Sequence, residues 1–344
     1  MKMKNKIWLF LLAALVLAAC SEDSEQQGGV RGEPLHLTAV TRTPSEAIID
    51  ADEDHSPIQI YLMSGTQKTE GNFIYNSPEW TSTIGVKELN NYIFGYSPAT
   101  AAAGTISTIT NGATDYSAGA KLTLNNLKAV GGDDICVVVG VKNSAEAVTP
   151  DFGVFEFNKV SGNNSVCLLL DHLFSAIDFK IRIGENYNVL RDIRLKKMEL
   201  KSSSSITQAV VTLTANTTGA NPISVAYTQD ATVSQSNVVY DYGTDATTNN
   251  GLLLTDTGTS FVSYCAPLTD IDKKLTLVCT YDVYNKKGTR VRENCTAENS
   301  FSGIKGLKIE PRKKNTVTLT VEPSYLYQLS EDELDNPTVN LNGE

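Results

Sequence analysis

Apolar and polar residues alternate along most of the chain, in short runs separated by Gly, Asn, Asp and Ser. A period of two is typical of strands that pack one face on a core and turn the other to water. Thr, Val, Ile and Tyr are plentiful and helical periodicity is scarce. The pattern predicts an all-β protein built from sandwiches. The clearest runs are 58–62, 121–124, 135–139, 154–157, 176–183, 209–214 and 316–321.

Some segments depart from this alternation. Val166 to Phe174 is continuously apolar apart from Asp171 and His172, and is compatible with a strand or a short helix. Two stretches rich in small and polar residues, 99–115 and 229–250, are expected to be long exposed loops. A polar Gly-Asn-Asn sequence at 162–164 suggests a domain junction. The expected divisions are an N-terminal domain at 43–163, a C-terminal domain at 164–323 and a tail at 324–344.

The first 19 residues have the pattern of an export signal. Three lysines within the first six residues precede an unbroken apolar run at 7–16, which is shorter than the ~20 residues that span a bilayer. The segment ends in Leu17-Ala18-Ala19-Cys20, which resembles the bacterial lipobox. We therefore expect a signal peptide at 1–19 and a lipid on Cys20; an ordinary signal peptide with a chance cysteine is the alternative.

The residues after Cys20 are expected to form a tether at 20–42. Its acidic start, 21–25, resembles signals that send lipoproteins to the outer face of the outer membrane, and a solvated linker is compatible with this. The whole chain has 29 Lys and Arg against 39 Asp and Glu, a formal charge of −10. Apart from 312–314 no basic patch is apparent, so nucleic acid is not an expected partner.

Lipidation of Cys20 would leave five of the six cysteines, an odd number that excludes complete pairing within one chain. Leu275–Val283 alternates, and Asn285-Lys286-Lys287-Gly288 has the pattern of a hairpin turn. A hairpin centred on Lys287 would place Cys279 opposite Cys295. An oxidising compartment would allow a disulfide there; two reduced, half-buried thiols are the alternative.

Catalytic patterns are scarce. Of the three histidines, only His172 lies in an apolar run, and we interpret it as structural because its neighbour Asp171 would point to the other face of a strand. The acidic segment 50–54 lacks the glycine and closing glutamate of a Ca²⁺ loop. The sequence therefore predicts no enzyme, catalytic residue, cofactor or metal site, although paired carboxylates of a hydrolase on a β scaffold are not visible in a sequence.

Four segments in order resemble the fimbrillin family, the subunits of type V pili. They are Asn72–Trp80 with Asn91–Pro98, Leu122–Leu124 with Asp133–Val138, His172–Phe179, and Val321–Tyr327 with Asp335–Thr338. The resemblance implies two tandem transthyretin-like β-sandwich domains. It also implies that an arginine-specific protease removes the first strand and that a strand of a neighbouring subunit takes its place.

On that resemblance the processing sites are Arg42, which we prefer, and Arg31, with 35–40 as the removable strand; ordinary linker arginines are the alternative. The protein would be an outer-membrane lipoprotein first and part of a fimbria after processing, with a host or bacterial surface ligand as a further partner. The tail is largely polar, with only Val339 and Leu341 alternating, which favours a tip or accessory subunit over the shaft. An anchor subunit that keeps its lipid is a further alternative. A surface glycan-binding lipoprotein that does not polymerise is the alternative, with Trp80 and Tyr92 as candidate contacts.

Overall fold

The computed structural model describes residues 32–42 and 55–343, apart from 111, 132, 217–219, 244–250, 303, 305–306, 308 and 324–336. Cys20, Arg31 and the acidic segment 50–54 lie outside these residues. Within them almost every element is a strand, so the all-β prediction is confirmed. No helix in this part of the chain is long and apolar enough to span a membrane.

The N-terminal half forms short strands that are mostly antiparallel. Strands β1 to β7 are Glu33–Pro34, His36–Arg42, Ile58–Ser64, Gln67–Asn76, Glu79–Ser82, Gly85–Val86 and Asn90–Ser97. Strands β8 to β13 are Ala103–Thr108, Gly119–Asn125, Val130–Gly131, Cys136–Asn143, Glu156–Asn158 and Ser165–His172. Strand β8 lies within the segment 99–115 that the sequence predicts to be a loop, so that prediction is wrong for these six residues.

The described part of the second half contains longer strands and two short helices. Strands β14 to β18 are Ser175–Ile183, Arg191–Ser202, Ser205–Thr214, Ile223–Asp230 and Gln235–Asp241. Strands β19 to β24 are Leu252–Leu253, Thr259–Cys265, Leu275–Asn285, Arg290–Ser300, Lys314–Glu322 and Thr338–Gly343. Helix α1 is Glu185–Asn188, and a 3₁₀ helix covers Ile271–Lys274. The expected tail therefore contains a strand. Strand β18 lies within the segment 229–250 that the sequence predicts to be a loop, so that prediction is wrong for these seven residues.

The strands assemble into several sheets. The largest has the order β2-β13-β11-β7-β3-β4-β5, with β12 also paired to β7. Two others have the orders β10-β20-β14-β23-β24 and β18-β15-β21-β22, and a further sheet has the order β17-β16-β9-β8. Pairing therefore joins strands from both sides of residue 163. The division into domains at that residue, and the transthyretin-like topology, stay predictions.

The central strands of the largest sheet are buried on both faces. Ile60 and Leu62 of β3 lie in one hydrophobic cluster, whereas Tyr61 and Met63 lie in another. Strand β13 shows the same division, and all eight of its residues are buried. A strand covered on both faces has no polar alternation, which explains why Val166–Phe174 is ambiguous in the sequence.

We call the cluster around Ile60 the first core and the cluster around Tyr61 the second core. The first core contains Leu35, Leu37, Ile58, Ile60, Leu62, Phe73, Ile84, Val86, Ile93, Cys136, Val138, Val141, Phe157, Val166, Leu168 and Leu170. Its members from β3 and β13 are alternate residues, as the strand period requires. Those from β11 change spacing between Val138 and Val141, where the register shifts. The second core is larger and extends into the sheets of the C-terminal half.

Candidate functional site

Strand β2 occupies one edge of the largest sheet. It runs parallel to β13, with His36 opposite Ser165 at one end and Arg42 opposite Leu170 at the other. The register shifts between Val166 and Cys167, so Thr38 is an extra residue in β2. On its other side β13 pairs with β11. Strand β2 therefore covers an edge of β13 that would otherwise be free to accept another strand.

The side chains of β2 and of the residue before it complete the first core. Leu35 is 2% exposed and Leu37 is 6% exposed, and Val40 packs against the same cluster. Fully burying a leucine contributes about 1.5–3 kcal/mol. Removing the segment would uncover the apolar residues of β13 on the first-core face, so both an unpaired backbone and a hydrophobic surface would result.

Polar contacts also hold this segment. The Thr38 hydroxyl lies 3.0 Å from the carbonyl oxygen of Val166 and 3.1 Å from that of Ser144, and its oxygen lies 3.2 Å from the Cys167 sulfur. The backbone amide of Leu35 donates to the carbonyl of Ile84 at 3.0 Å. The extra residue in β2 is thus tied to the strand that it covers.

The carboxylate of Glu33 fixes the start of the segment. It accepts hydrogen bonds from the Gly162 amide at 2.9 Å and the Asn164 side chain at 3.1 Å, and pairs with Lys159 at 3.0 Å. The Gly162 hydrogen bond and then the bond to Lys159 lower the pKa of Glu33 from its ordinary value. The segment 33–42 is therefore secured at its start by charge and along its length by apolar burial.

The expected processing residues frame this segment. Arg42 is the last residue of β2, and the predicted removable strand 35–40 lies almost entirely within β2. Cleavage after Arg42 would separate β2 from everything that follows it in the chain. Arg31 and the lipidation residue Cys20 lie outside the described residues, so their roles stay predictions.

The other end of the chain is bound in its own sheet. Strand β24 pairs antiparallel with β23 from Thr338–Glu322 to Gly343–Val317, and Val339 is buried in the second core. The hydroxyl of Tyr281 donates to the carbonyl of Pro337 at 2.8 Å, directly before this strand. The C-terminal strand therefore makes the contacts of an ordinary sheet edge.

The expected opposition of Cys279 and Cys295 is wrong. Near the turn the register agrees with the prediction, since Tyr284 lies opposite Arg290 and Gly288 has a φ of 81°. Two register shifts between Tyr281 and Tyr284 then displace β22.

As a result Cys279 lies opposite Ala297, and Cys295 lies opposite Tyr281. Diagonal positions are about 7–8 Å apart, beyond the usual Cα separation of a disulfide, and both thiols are free. Burial raises the pKa of Cys279 to about 12 and also raises that of Cys295.

The aromatic residues proposed for glycan contact differ in their surroundings. Tyr92 is half-buried and packs against the second core. Trp80 is half-buried against the first core but belongs to a surface group with Tyr75 and the exposed His55. The ring centroids of His55 and Tyr75 are 3.6 Å apart in a stacked arrangement, and those of Tyr75 and Trp80 are 5.4 Å apart.

Sequence reasoning missed a buried group around His172. His172 is 3% exposed, and its Nδ1 lies 2.7 Å from Oδ2 of Asp134. The sulfur of Cys136 lies 3.3 Å from the same nitrogen. The neighbouring Asp171 instead contacts Arg312. Only the pairing of β11 with β13 could have revealed this group, because Cys136 and His172 are 36 positions apart in the sequence.

No family model and no curated protein matches the chain. Similar solved structures include a candidate cell adhesion protein from Bacteroides uniformis, with 11% identity, coverage of 93% of this chain and 98% of that chain, and a TM-score of 0.41. A fimbrial protein from Bacteroides vulgatus has 15% identity, coverage of 91% and 99%, and a TM-score of 0.38.

The fimbrial anchor protein Mfa2 from Porphyromonas gingivalis has 12% identity, coverage of 90% of this chain and 98% of that chain, and a TM-score of 0.32. These neighbours are called adhesion and fimbrial proteins, and the four sequence segments resemble fimbrial subunits. The identities and scores are low, so they carry no argument about function, which has to rest on the chain's own residues.

Proposed function

We propose that this protein is a structural and adhesive subunit of a surface fimbria, without enzymatic activity. In this proposal the exported chain is first held in the outer membrane by a lipid on Cys20. A protease then cuts after Arg42, strand β2 leaves, and a strand of a neighbouring subunit pairs with β13. The lipobox and the four sequence motifs support this assignment.

The position of β2 is the observation that carries the proposal. It is an edge strand, and its last residue is Arg42. Beyond Arg42, residues 58–64 form β3, which lies elsewhere in the same sheet. Cleavage after Arg42 removes β2 together with β1, which pairs with β6. Within the largest sheet only the pairing of β2 with β13 is lost, so one edge opens. An incoming strand could satisfy the exposed backbone by β-augmentation and refill the sites of Leu35 and Leu37.

The C-terminal strand supports a tip or accessory position. A shaft subunit must both accept a strand and donate one. Strand β24 is six residues long and pairs with β23 in its own sheet, with Val339 buried. Donation would require these contacts to be broken first. A subunit that accepts a strand and keeps its own β24 fits the end of a filament better than its middle.

The proposal is tested by replacing the arginines with lysine, which keeps the charge but is not a substrate for an arginine-specific protease. The producing cell would express wild type, Arg31→Lys, Arg42→Lys or the double variant. Sheared filaments and cell membranes would then be compared by immunoblot. We expect to find wild type and Arg31→Lys in the filament fraction. Arg42→Lys and the double variant should remain in the membranes at full length. Filaments that contain the double variant at wild-type levels would overturn the proposal.

The aromatic group of His55, Tyr75 and Trp80 favours glycan binding as a second candidate function. Aromatic rings combine a flat apolar face with polar edges, which suits contact with sugar rings. Tyr75→Ala would remove the central ring while leaving Trp80 against the first core. Retention of surface-glycan binding by Tyr75→Ala, measured on an array beside wild type, would rule out this group as the binding surface.

A further inference from the structure

Asp134, Cys136 and His172 form a compact group of three different metal-ligand types. Their ligand atoms all lie within 4.8 Å of one another, and all three residues are buried. The group is built by simple strand geometry. Cys136 and His172 are register partners in β11 and β13, so their side chains share a face. Asp134 precedes Cys136 by two residues, which returns its side chain to that face in an extended chain.

The distances within the group are close to those that a tetrahedral zinc ion imposes. Zinc binds sulfur at about 2.3 Å and nitrogen or oxygen at about 2.0–2.2 Å, which places neighbouring ligand atoms roughly 3.2–3.6 Å apart. Here Nδ1 of His172 lies 3.3 Å from the Cys136 sulfur and 2.7 Å from the Asp134 oxygen, and the sulfur lies 3.7 Å from that oxygen. Opening the short pair by about half an ångström would accommodate the ion.

A nucleophilic cysteine triad fits this arrangement less well. In a triad one ring nitrogen of the histidine faces the nucleophile and the other faces the carboxylate. Here the sulfur and the carboxylate oxygen both approach Nδ1. Convergence of three donor atoms on one point is what a metal ion requires. The geometry points to a binding site for a borderline-soft divalent cation, with Zn²⁺ as the ligand, at Asp134, Cys136 and His172.

The donor set decides between cations. Thiolate and imidazole together select zinc and other late transition metals, whereas Ca²⁺ and Mg²⁺ need several oxygen ligands. Binding requires the thiolate of Cys136, so uptake of the ion releases its proton to solvent. Three protein ligands leave a fourth position for water or another donor. Of the three residues, His172 also lines a cavity of about 370 Å³, together with Asp171 and Arg312.

The site connects β11 with β13, and β13 is the strand next to the edge strand β2. A bound ion would link the start of β11 to the end of β13, and would stabilise their pairing whether or not β2 is present. The inference does not depend on the proposed fimbrial role, because it rests only on residues within 134–172. Failure of either proposal therefore leaves the other intact.

The test uses the full chain, stripped with a chelator under reducing conditions and titrated with Zn²⁺ against a chromophoric competitor. We expect one Zn²⁺ per chain and a higher unfolding temperature with the ion. Cys136→Ser and His172→Gln should each weaken binding by about 100-fold or more, since loss of even an outer-shell partner costs about 10–100-fold. The matched controls Cys295→Ser and His55→Gln should bind like wild type.

Buried substitutions can prevent folding, so a second measurement uses the wild-type chain alone. X-ray absorption of the zinc-loaded protein should show one sulfur at about 2.3 Å and nitrogen or oxygen at about 2.0 Å. A shell without sulfur, a shell of several sulfurs, or the absence of stoichiometric binding would overturn the inference. Binding that is equally strong in Cys136→Ser and His172→Gln would also overturn it.

Discussion

Removal of residues 1–42 is expected to destabilise the chain and to leave it able to bind the missing strand as a peptide. Leu35 and Leu37 are both buried in the first core. Their burial contributes about 3–6 kcal/mol together, at about 1.5–3 kcal/mol each. At an unfolding entropy of about 2.1 cal/mol/K per residue, 1 kcal/mol corresponds to about 1.5 °C for a chain of this size, so the unfolding temperature should fall by roughly 4–9 °C.

The assay compares thermal unfolding, followed by circular dichroism, of the full chain and of a chain that starts at Thr43. A peptide of residues 33–42 is then added in excess. It should raise the unfolding temperature of the truncated chain, because binding to the folded state stabilises it by mass action. The control peptide carries Leu35→Asp and Leu37→Asp and keeps the same length.

Two results would refute this reasoning. An unchanged unfolding temperature in the truncated chain would mean that the first strand contributes little to the first core. Equal stabilisation by the control peptide would mean that apolar burial does not select the incoming strand. Single substitutions Leu35→Ala and Leu37→Ala in the full chain should each cost about 2–5 kcal/mol, which checks the magnitude independently.

Three further predictions concern charge and local geometry. Because the folded state lowers the pKa of Glu33, the ionised carboxylate stabilises the fold above its ordinary pKa of 4.5, and this stabilisation is lost as the pH falls through the lower folded pKa. In urea unfolding, the free energy of unfolding of wild type should therefore fall more between about pH 6 and about pH 3 than that of Glu33→Gln, and an equal fall would contradict this. Alkylation at about pH 8 should leave Cys279 unmodified until the chain unfolds, because its pKa is raised to about 12; peptide mass mapping that finds it modified in the folded chain would contradict this. Asp282 is buried and accepts a hydrogen bond from the Asn294 amide at 2.7 Å within the irregular part of the β21–β22 hairpin. Asp282→Ala should therefore lower the free energy of unfolding by about 1–3 kcal/mol. An unchanged free energy of unfolding in urea would mean that Asp282 does not stabilise this part of the hairpin.

Local pattern predicts the strands and the first segment well. The alternating run 209–214 lies within β16, and 35–40 lies almost wholly within β2, because period-two burial is written directly into the residues. The pattern fails where a strand is covered on both faces, as in β13. It also fails for β8, whose Ala, Gly and Thr residues form a strand only because β9 supplies a partner.

The local sequence pattern does not predict which residues lie opposite one another in paired strands. The turn at Asn285–Gly288 is predicted correctly, yet the irregular pairing near Tyr281 displaces Cys295 from Cys279. The group around His172 depends on the pairing of two strands that are not neighbours along the chain. In both cases the decisive fact is which residues lie opposite one another, and bulges and partner choice set this.

The most direct test of the account is the N-terminal residue of the protein recovered from the cell surface. Edman sequencing or terminal peptide mass spectrometry of the filament fraction would identify it. The account predicts a chain that begins at Thr43, directly after Arg42, so that β2 has been removed. A lipidated Cys20 as the only N-terminus in filaments would contradict the strand-removal mechanism.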